Sequence, residues 1–207
     1  MNARSCIVLG LLLGALILGQ GCVRILDPGP APVRVILEPE LPPAQPGSEL
    51  PVQLVVALPE TGRALDTDRI AILKDRSVTY LPDLRWSSPV PHMVQRHLLQ
   101  ALESSARWNG IAVESAGIFP EYRLLCDIQR FMARVQGDKA RVQVRLYLQL
   151  VDMRKGRITA STTVNSESQP VADTPAAILE AFEPTLSAVL TQAATWTEAS
   201  LRDVLRP

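Results

Sequence analysis

Residues 141–150 read RVQVRLYLQL and residues 157–165 read RITASTTVN, and this pair of segments decides the fold class. Apolar and polar side chains alternate in both segments, which is typical of antiparallel strands with one packed face and one wet face. Residues 122–135 are a third long strand, whose apolar phase shifts near Gln129 and so predicts a bulge. Two glycine-containing turns join these strands into a predicted meander: Gly137-Asp138 and Lys155-Gly156.

Shorter strands are predicted in the first half of the chain. Strand-like runs cover residues 33–37, 52–58, 69–73 and 77–81. The last two runs flank Lys74-Asp75-Arg76, a polar link short enough for a hairpin.

Two helices are predicted to cover the packed face of the sheet. One apolar stripe at helical spacing runs from Val90 to Leu102. A second begins at Pro175 behind a capping residue, Asp173 or Thr174, and Pro184 inside it is expected to kink or split the helix. The sequence therefore predicts an α+β fold: one domain, an antiparallel sheet with a long C-terminal β-meander, and two amphipathic helices on one face.

The N-terminus has the layout of an export signal. Arg4 precedes twelve uncharged residues from Ile7 to Leu18, a run too short for a permanent membrane span. Gly19-Gln20-Gly21 before Cys22 resembles the lipobox of bacterial lipoproteins, in which cleavage occurs before a cysteine that carries diacylglycerol. The family pattern prefers Leu where Gly19 stands, and an ordinary signal peptide with an incidental cysteine is the alternative interpretation.

Lipidation at Cys22 would divide the chain into three parts. Residues 1–21 are the predicted lipoprotein signal peptide, residues 22–32 a lipidated Pro-rich tether, and residues 33–207 the α+β domain. Two or more acyl chains, palmitate among them, give a stable membrane anchor. Val23 rather than Asp follows the cysteine, which by resemblance to the enteric sorting rule predicts the outer membrane, facing the periplasm.

Composition excludes several function classes. The chain has 207 residues, with 21 Lys+Arg against 21 Asp+Glu, so it lacks the excess of cations typical of nucleic-acid binders. No glycine-rich phosphate-binding motif follows a strand, and His92 and His97 are too few for a zinc site. We therefore expect no catalytic residues, no metal and no cofactor, and we expect Cys126 to be a buried thiol.

Charge and aromatic residues suggest surfaces for a partner. Nine Lys+Arg against three Asp+Glu lie between residues 122 and 158, and Arg141 and Arg145 share the wet face of one predicted strand. This face could dock an acidic protein surface or lipid phosphate, or it could be an ordinary solvated face. Trp86, at a strand-to-helix junction, either fills the edge of the core or contacts a partner.

A set of short motifs resembles a known family. Asp68-Arg69-Ile70, then Val78 and Tyr80, then Arg85-Trp86 and a proline before an amphipathic helix, resemble the ABC-type transport auxiliary lipoproteins, which include the paraquat-inducible protein C group. The resemblance covers residues 33–205. It adds Arg69, Tyr80, Arg85 and Trp86 to Arg141 and Arg145 as candidate partner-binding residues.

The resemblance implies a non-catalytic lipoprotein subunit of an Mce-type (mammalian cell entry) ABC system that moves phospholipids or other hydrophobic molecules across the cell envelope. The implied partners are an Mce-domain protein and the ABC permease and ATPase complex, and an oligomer is compatible with this role. The alternative is a periplasmic lipid-binding carrier lipoprotein. A filled core favours docking, whereas a continuous apolar cavity would favour carriage; we expect a filled core.

Overall fold

The computed structural model describes residues 31–44, 49–137 and 139–206. The predicted signal peptide (1–21), the lipidation site at Cys22, most of the predicted tether and Asp138 of the predicted turn lie outside the described residues. Within the described ranges, no helix has both the length and the apolar character needed to cross a membrane.

The described residues form one mixed sheet and two α-helices, so the α+β fold class is confirmed. The helices are α1 (Val90–Ser105) and α2 (Pro175–Leu205), and a short 3-10 helix covers Glu114–Ala116. The strands, in chain order, are β1 (Val33–Val35), β2 (Glu49–Val56), β3 (Glu60–Thr61), β4 (Arg69–Lys74), β5 (Ser77–Trp86), β6 (Arg107–Val113), β7 (Tyr122–Gln136), β8 (Lys139–Asp152) and β9 (Arg157–Ser168).

Strand β7 is central to the sheet, because other strands pair with both of its edges. One of its edges pairs antiparallel with β8 along its whole length, and β9 pairs antiparallel with β8, which confirms the predicted meander. Its other edge pairs parallel with β2, β3 and β4 in turn. Strand β6 extends the sheet beyond β2, and β5 and β1 extend it beyond β4. The sheet is thus mixed, not antiparallel throughout as expected, because side-chain alternation is the same in parallel and antiparallel strands.

The bulge predicted near Gln129 of β7 is confirmed. The β7–β8 register runs without a break from Tyr122 to Ile128 and resumes at Arg130, so Gln129 is the extra residue. The glycines of both predicted turns take left-handed backbone conformations, with φ of 59° at Gly137 and 62° at Gly156. The bulge shifts which side chains of β7 face the helices beyond this point.

The core lies between the helices and one face of the sheet. Five residues of β8, packed under α2, are no more than 1% exposed: Val142, Val144, Leu146, Leu148 and Leu150. Trp86, Phe131 and Phe182 join the sheet to α2, with ring centroids 5.0 to 5.8 Å apart. The space between the layers is therefore filled by closely packed rings and branched side chains.

Helix α2 is continuous, so Pro184 does not split it, and of the two expected effects only the kink stays a prediction. The Thr174 hydroxyl accepts a hydrogen bond from the Ala177 N–H at 3.3 Å, as expected of the cap. Proline lacks the N–H that would bond the Glu180 carbonyl and crowds that carbonyl with its ring, but buried residues before and after it hold both halves of the helix against the sheet. Strand β6 was not predicted at all.

Candidate functional site: a basic sheet face

Five cationic side chains lie on the sheet face opposite the helices. On β8, Arg141 and Arg145 alternate with the buried residues that pack under α2, so they point to the other side. The register places Arg134 opposite Arg141 and Arg130 opposite Arg145. With Lys139 at the start of β8, these residues form what we call the basic face: Arg130, Arg134, Lys139, Arg141 and Arg145.

Within the described part of the chain, none of the five residues of the basic face forms a salt bridge with an acid. Amides hold two of the arginines instead: Arg145 Nε donates to Gln129 Oε1 at 2.9 Å, and Arg130 Nη1 donates to Gln143 Oε1 at 3.3 Å. Like charges directly opposite one another destabilise a sheet. Their presence here indicates a surface suited to an anionic partner.

The basic face is concave. Its residues around Arg134 and Arg141 line an open depression of about 880 Å³, a volume that includes solvent at its mouth. The acid in its lining is Glu167, which accepts a hydrogen bond from Gln143 Nε2 at 2.7 Å. A planar guanidinium can bind a carboxylate or a phosphate through two parallel hydrogen bonds. The depression can therefore receive carboxylate or phosphate groups through several arginines at once.

A second arginine cluster lies on β4 and β5. Arg69 and Arg85 are cross-strand neighbours, and the guanidinium carbon of Arg69 lies 3.8 Å from the centroid of the Tyr80 ring. Arg85 Nη1 donates to the carbonyls of Leu81 and Leu84, and the Tyr80 hydroxyl donates to the carbonyl of Ala64. Arg85 and Tyr80 thus hold the local chain, while Arg69 remains exposed above the Tyr80 ring.

Trp86 belongs to the core. Its side chain is 0% exposed and meets Phe131 and Phe182 edge to face, as the first of its two interpretations expected. It cannot touch a partner in this conformation. Its indole Nε1 is buried without a hydrogen-bond partner among the described residues.

The groups most suited to catalysis are buried in places that do not favour it. His97 is 9% exposed and hydrogen-bonds Gln100 at 3.2 Å, and burial lowers the pKa of its imidazole. Burial also raises the pKa of the Cys126 thiol far above its usual range, so it stays protonated. Over the described ranges, no group of three or more potential metal ligands comes together.

Sequence reasoning identified Arg141 and Arg145 but not the residues that face them. Arg130 and Arg134 join them only through the β7–β8 register, whereas Lys139 lies on β8 itself, two residues before Arg141. The excess of cations between residues 122 and 158 was the feature of the sequence that could have indicated the whole basic face. The bulge at Gln129 decides which of these cations lie on the same face of the sheet. Arg69, Tyr80 and Arg85 form a separate cluster.

Comparison with known proteins adds a family and a fold. A sequence model described as the ABC-type transport auxiliary lipoprotein component matches residues 36–194. An uncharacterised protein of Bradyrhizobium diazoefficiens is 26% identical over 148 residues, which are 72% of this chain but only 40% of that protein.

Two solved structures are similar along most of the chain. The crystal structure of a Xanthomonas campestris protein of family DUF330 has a TM-score of 0.76 at 22% identity, and the match covers 83% of this chain and 98% of that one. A crystal structure of another uncharacterised protein has a TM-score of 0.55 at 16% identity and covers 83% and 99% of the two chains. At such identities the likeness shows a shared fold.

Proposed function

Since this chain belongs to the ABC-type transport auxiliary lipoprotein family, we propose that it is a non-catalytic docking subunit of an Mce-type ABC transport system. In this role it sits on the outer membrane, faces the periplasm, and helps to assemble the machinery that moves phospholipids or other hydrophobic molecules. An Mce-domain protein and the permease and ATPase complex are the proposed partners.

The observation that carries the docking role is the basic face, whose five cations form no salt bridge within the described residues. Arg130, Arg134, Arg141 and Arg145 are in two like-charge cross-strand pairs, an arrangement that costs stability in the free protein. An acidic protein surface placed over the depression would relieve this repulsion and bind the guanidinium groups. Charge complementarity of this kind speeds association and selects partners more than it raises affinity.

The packed core supports docking over lipid carriage. A carrier of acyl chains needs a continuous apolar cavity between its layers. Here Trp86, Phe131 and Phe182 are each no more than 1% exposed and occupy that layer with their rings in contact. The alternative of a periplasmic lipid carrier would require these rings to move apart.

Anchoring through Cys22 is the second part of the proposal. Acyl chains on the mature N-terminal cysteine would hold the domain at the membrane, and residues 23–32 would serve as the tether. Intact-mass measurement of the processed protein tests this directly: a start at Cys22 with added acyl mass is expected. An unacylated start, or release of the protein into periplasmic fluid, would contradict it.

The docking role is tested by crosslinking the lipoprotein in intact envelopes and recovering it with its partners. Wild type is expected to bring down an Mce-domain protein together with its permease. The double variant Arg134→Glu, Arg141→Glu should recover at least about fivefold less of both, because it places acids in the depression.

Exposed arginines outside the basic face serve as the matched control. The double variant Arg63→Glu, Arg96→Glu makes the same charge change in a loop and on α1 and should recover partners as wild type does. Equal losses in both double variants would exclude the basic face as the docking surface. Reproducible absence of both partners from the wild-type sample would refute the proposed association.

A further inference from the structure

Two connections meet at one end of the sheet. The segment 117–121 leads into β7, and the turn at 153–156 joins β8 to β9. The Met153 N–H donates to the Glu121 carbonyl at 2.9 Å, and Tyr122 pairs with Asp152 in the register directly behind them. Gly117, with φ of 69°, takes a left-handed conformation that directs the chain out of the preceding 3-10 helix. The two connections therefore form one continuous surface.

Large apolar side chains are exposed on these two connections and at the start of β9. Phe119 is 96% exposed, Ile158 51%, Met153 43% and Ile118 40%. Single exposed apolar residues are ordinary in globular proteins, whereas a group at one end of a molecule marks an interaction site. We name the group Ile118, Phe119, Met153 and Ile158 the apolar tip.

Cations flank the apolar tip in the turn at 153–156 and at the start of β9. Arg154, Lys155 and Arg157 are all exposed. The Asp152 carboxylate accepts hydrogen bonds from the backbone N–H groups of Arg154 and Lys155, both at 3.0 Å, and lies 3.5 Å from Lys155 Nζ. Asp152 therefore holds the turn, and within the described residues Arg154 and Arg157 form no salt bridge. The tip combines protruding apolar side chains with unpaired positive charge.

We propose that the apolar tip inserts into the headgroup region of a bilayer containing anionic phospholipid. Aromatic and aliphatic side chains that protrude from the fold reach the headgroup and acyl boundary, while neighbouring arginines bind lipid phosphates. The nearly fully exposed Phe119 side chain can be surrounded by the fluid lipids of a bilayer. The positive charge of Arg154 and Arg157 is complementary to anionic lipid headgroups. A pocket in a partner protein is the competing occupant, and the experiment below separates the two.

The inference rests on the proposed lipid anchor for its strength. A few apolar side chains give weak, reversible membrane contact on their own. A short tether to the same membrane makes that contact effectively intramolecular, so a low membrane affinity of the apolar tip is enough to keep it bound. The tip would then fix the orientation of the domain on the membrane and hence the direction in which the basic face points.

Tryptophan introduced at the tip reports its depth. The full lipoprotein carrying Phe119→Trp is reconstituted into phosphatidylcholine vesicles with and without phosphatidylglycerol, using acyl chains brominated near the headgroup. Val171→Trp is the matched control, because Val171 is also 92% exposed and follows β9 at the opposite end of the sheet. The three native tryptophans are common to both variants and set the background.

The expected result is a signal from residue 119 alone. Emission from Phe119→Trp, after subtraction of the wild-type background, should fall at least about twofold in brominated vesicles containing phosphatidylglycerol, and Val171→Trp should change little. Adding Arg154→Gln and Arg157→Gln should remove most of the dependence on phosphatidylglycerol and leave the hydrophobic contribution. Lys155 is left unchanged because it contacts Asp152.

Vesicle flotation and intact mass keep the two proposals distinguishable. If the chain floats with vesicles but Phe119→Trp is quenched no more than Val171→Trp, the proposed membrane insertion of the apolar tip is wrong and the proposed lipid anchor is still supported. A pocket in a partner protein is then the favoured occupant of the tip. If the chain is unacylated but tryptophan at residue 119 is quenched, the proposed lipid anchor is wrong and insertion of the apolar tip is still supported. A chain that neither floats nor is quenched contradicts both.

Discussion

Replacing Arg141 by threonine is expected to stabilise the domain, although it removes part of the basic face. Arg141 lies directly opposite Arg134 on β7, and both carry a positive charge with no salt bridge to a described residue. Two guanidinium groups about 7 Å apart in water repel one another by roughly 0.6 kcal/mol. Directly opposite side chains in a sheet typically contribute about 0.2–1 kcal/mol, which is the same order.

Threonine at this position keeps a residue that favours strands. Its branched side chain suits the exposed face of β8, so the change removes the repulsion without weakening the strand. The opposing loss is the aliphatic stem of Arg141, which can pack along neighbouring side chains on this face. We expect the free energy of unfolding to rise by about 0.5 kcal/mol.

Urea unfolding followed by circular dichroism measures this change. The gain should shrink in about 1 M salt, where the screening length falls to roughly 3 Å. A double-mutant cycle with Arg134→Thr isolates the pair: once Arg134 is absent, Arg141→Thr should no longer stabilise. A loss of more than about 1 kcal/mol, or a gain that salt leaves unchanged, would refute the claim that cross-strand repulsion burdens this face.

Three further predictions concern the core and the helices. Trp86→Phe should lower the free energy of unfolding by about 1–3 kcal/mol in urea titrations; a larger loss would mean that the unpartnered indole Nε1 has a hydrogen bond after all. Pro184→Ala should raise the thermal midpoint, because alanine restores a hydrogen-bond donor to the Glu180 carbonyl in a helix that is already continuous; a lower midpoint would mean that proline's restriction of the unfolded chain outweighs the lost hydrogen bond. Burial lowers the pKa of His97, so the unfolded chain binds a proton at higher pH than the folded one, and the free energy of unfolding should decrease as pH falls below about 6.5. His97→Gln should flatten the pH dependence just below about pH 6.5, and an unchanged slope would assign that dependence to other groups.

Local sequence patterns predicted the C-terminal half of the fold closely. The β7–β8–β9 meander, its turns, the bulge at Gln129 and the Thr174 cap each depend on residues within a few positions of one another. Strand alternation, glycine in left-handed turns and a hydroxyl at a helix start act through neighbouring backbone groups, so they are visible in the sequence alone.

The N-terminal half was less predictable for a physical reason. Strand β6 has side chains of intermediate or full exposure along its length, so it lacks a clear apolar period. The parallel pairing of β2, β3 and β4 with one edge of β7 depends on contacts between residues far apart in the chain. Alternation identifies a strand but not its direction or its partner.

The sequence by itself determined the α+β class, the excess of cations on the meander and the resemblance that identified the family. Only the tertiary structure decided which charges act together: the pairing of β7 with β8 sets Arg130 and Arg134 opposite Arg145 and Arg141, while Trp86 is enclosed by rings from β7 and α2. The physical reason is how far apart in the sequence the interacting residues lie. Side-chain periodicity is a property of adjacent residues, whereas a charged face or a closed core depends on which strand lies beside which, and that is settled by packing the whole chain.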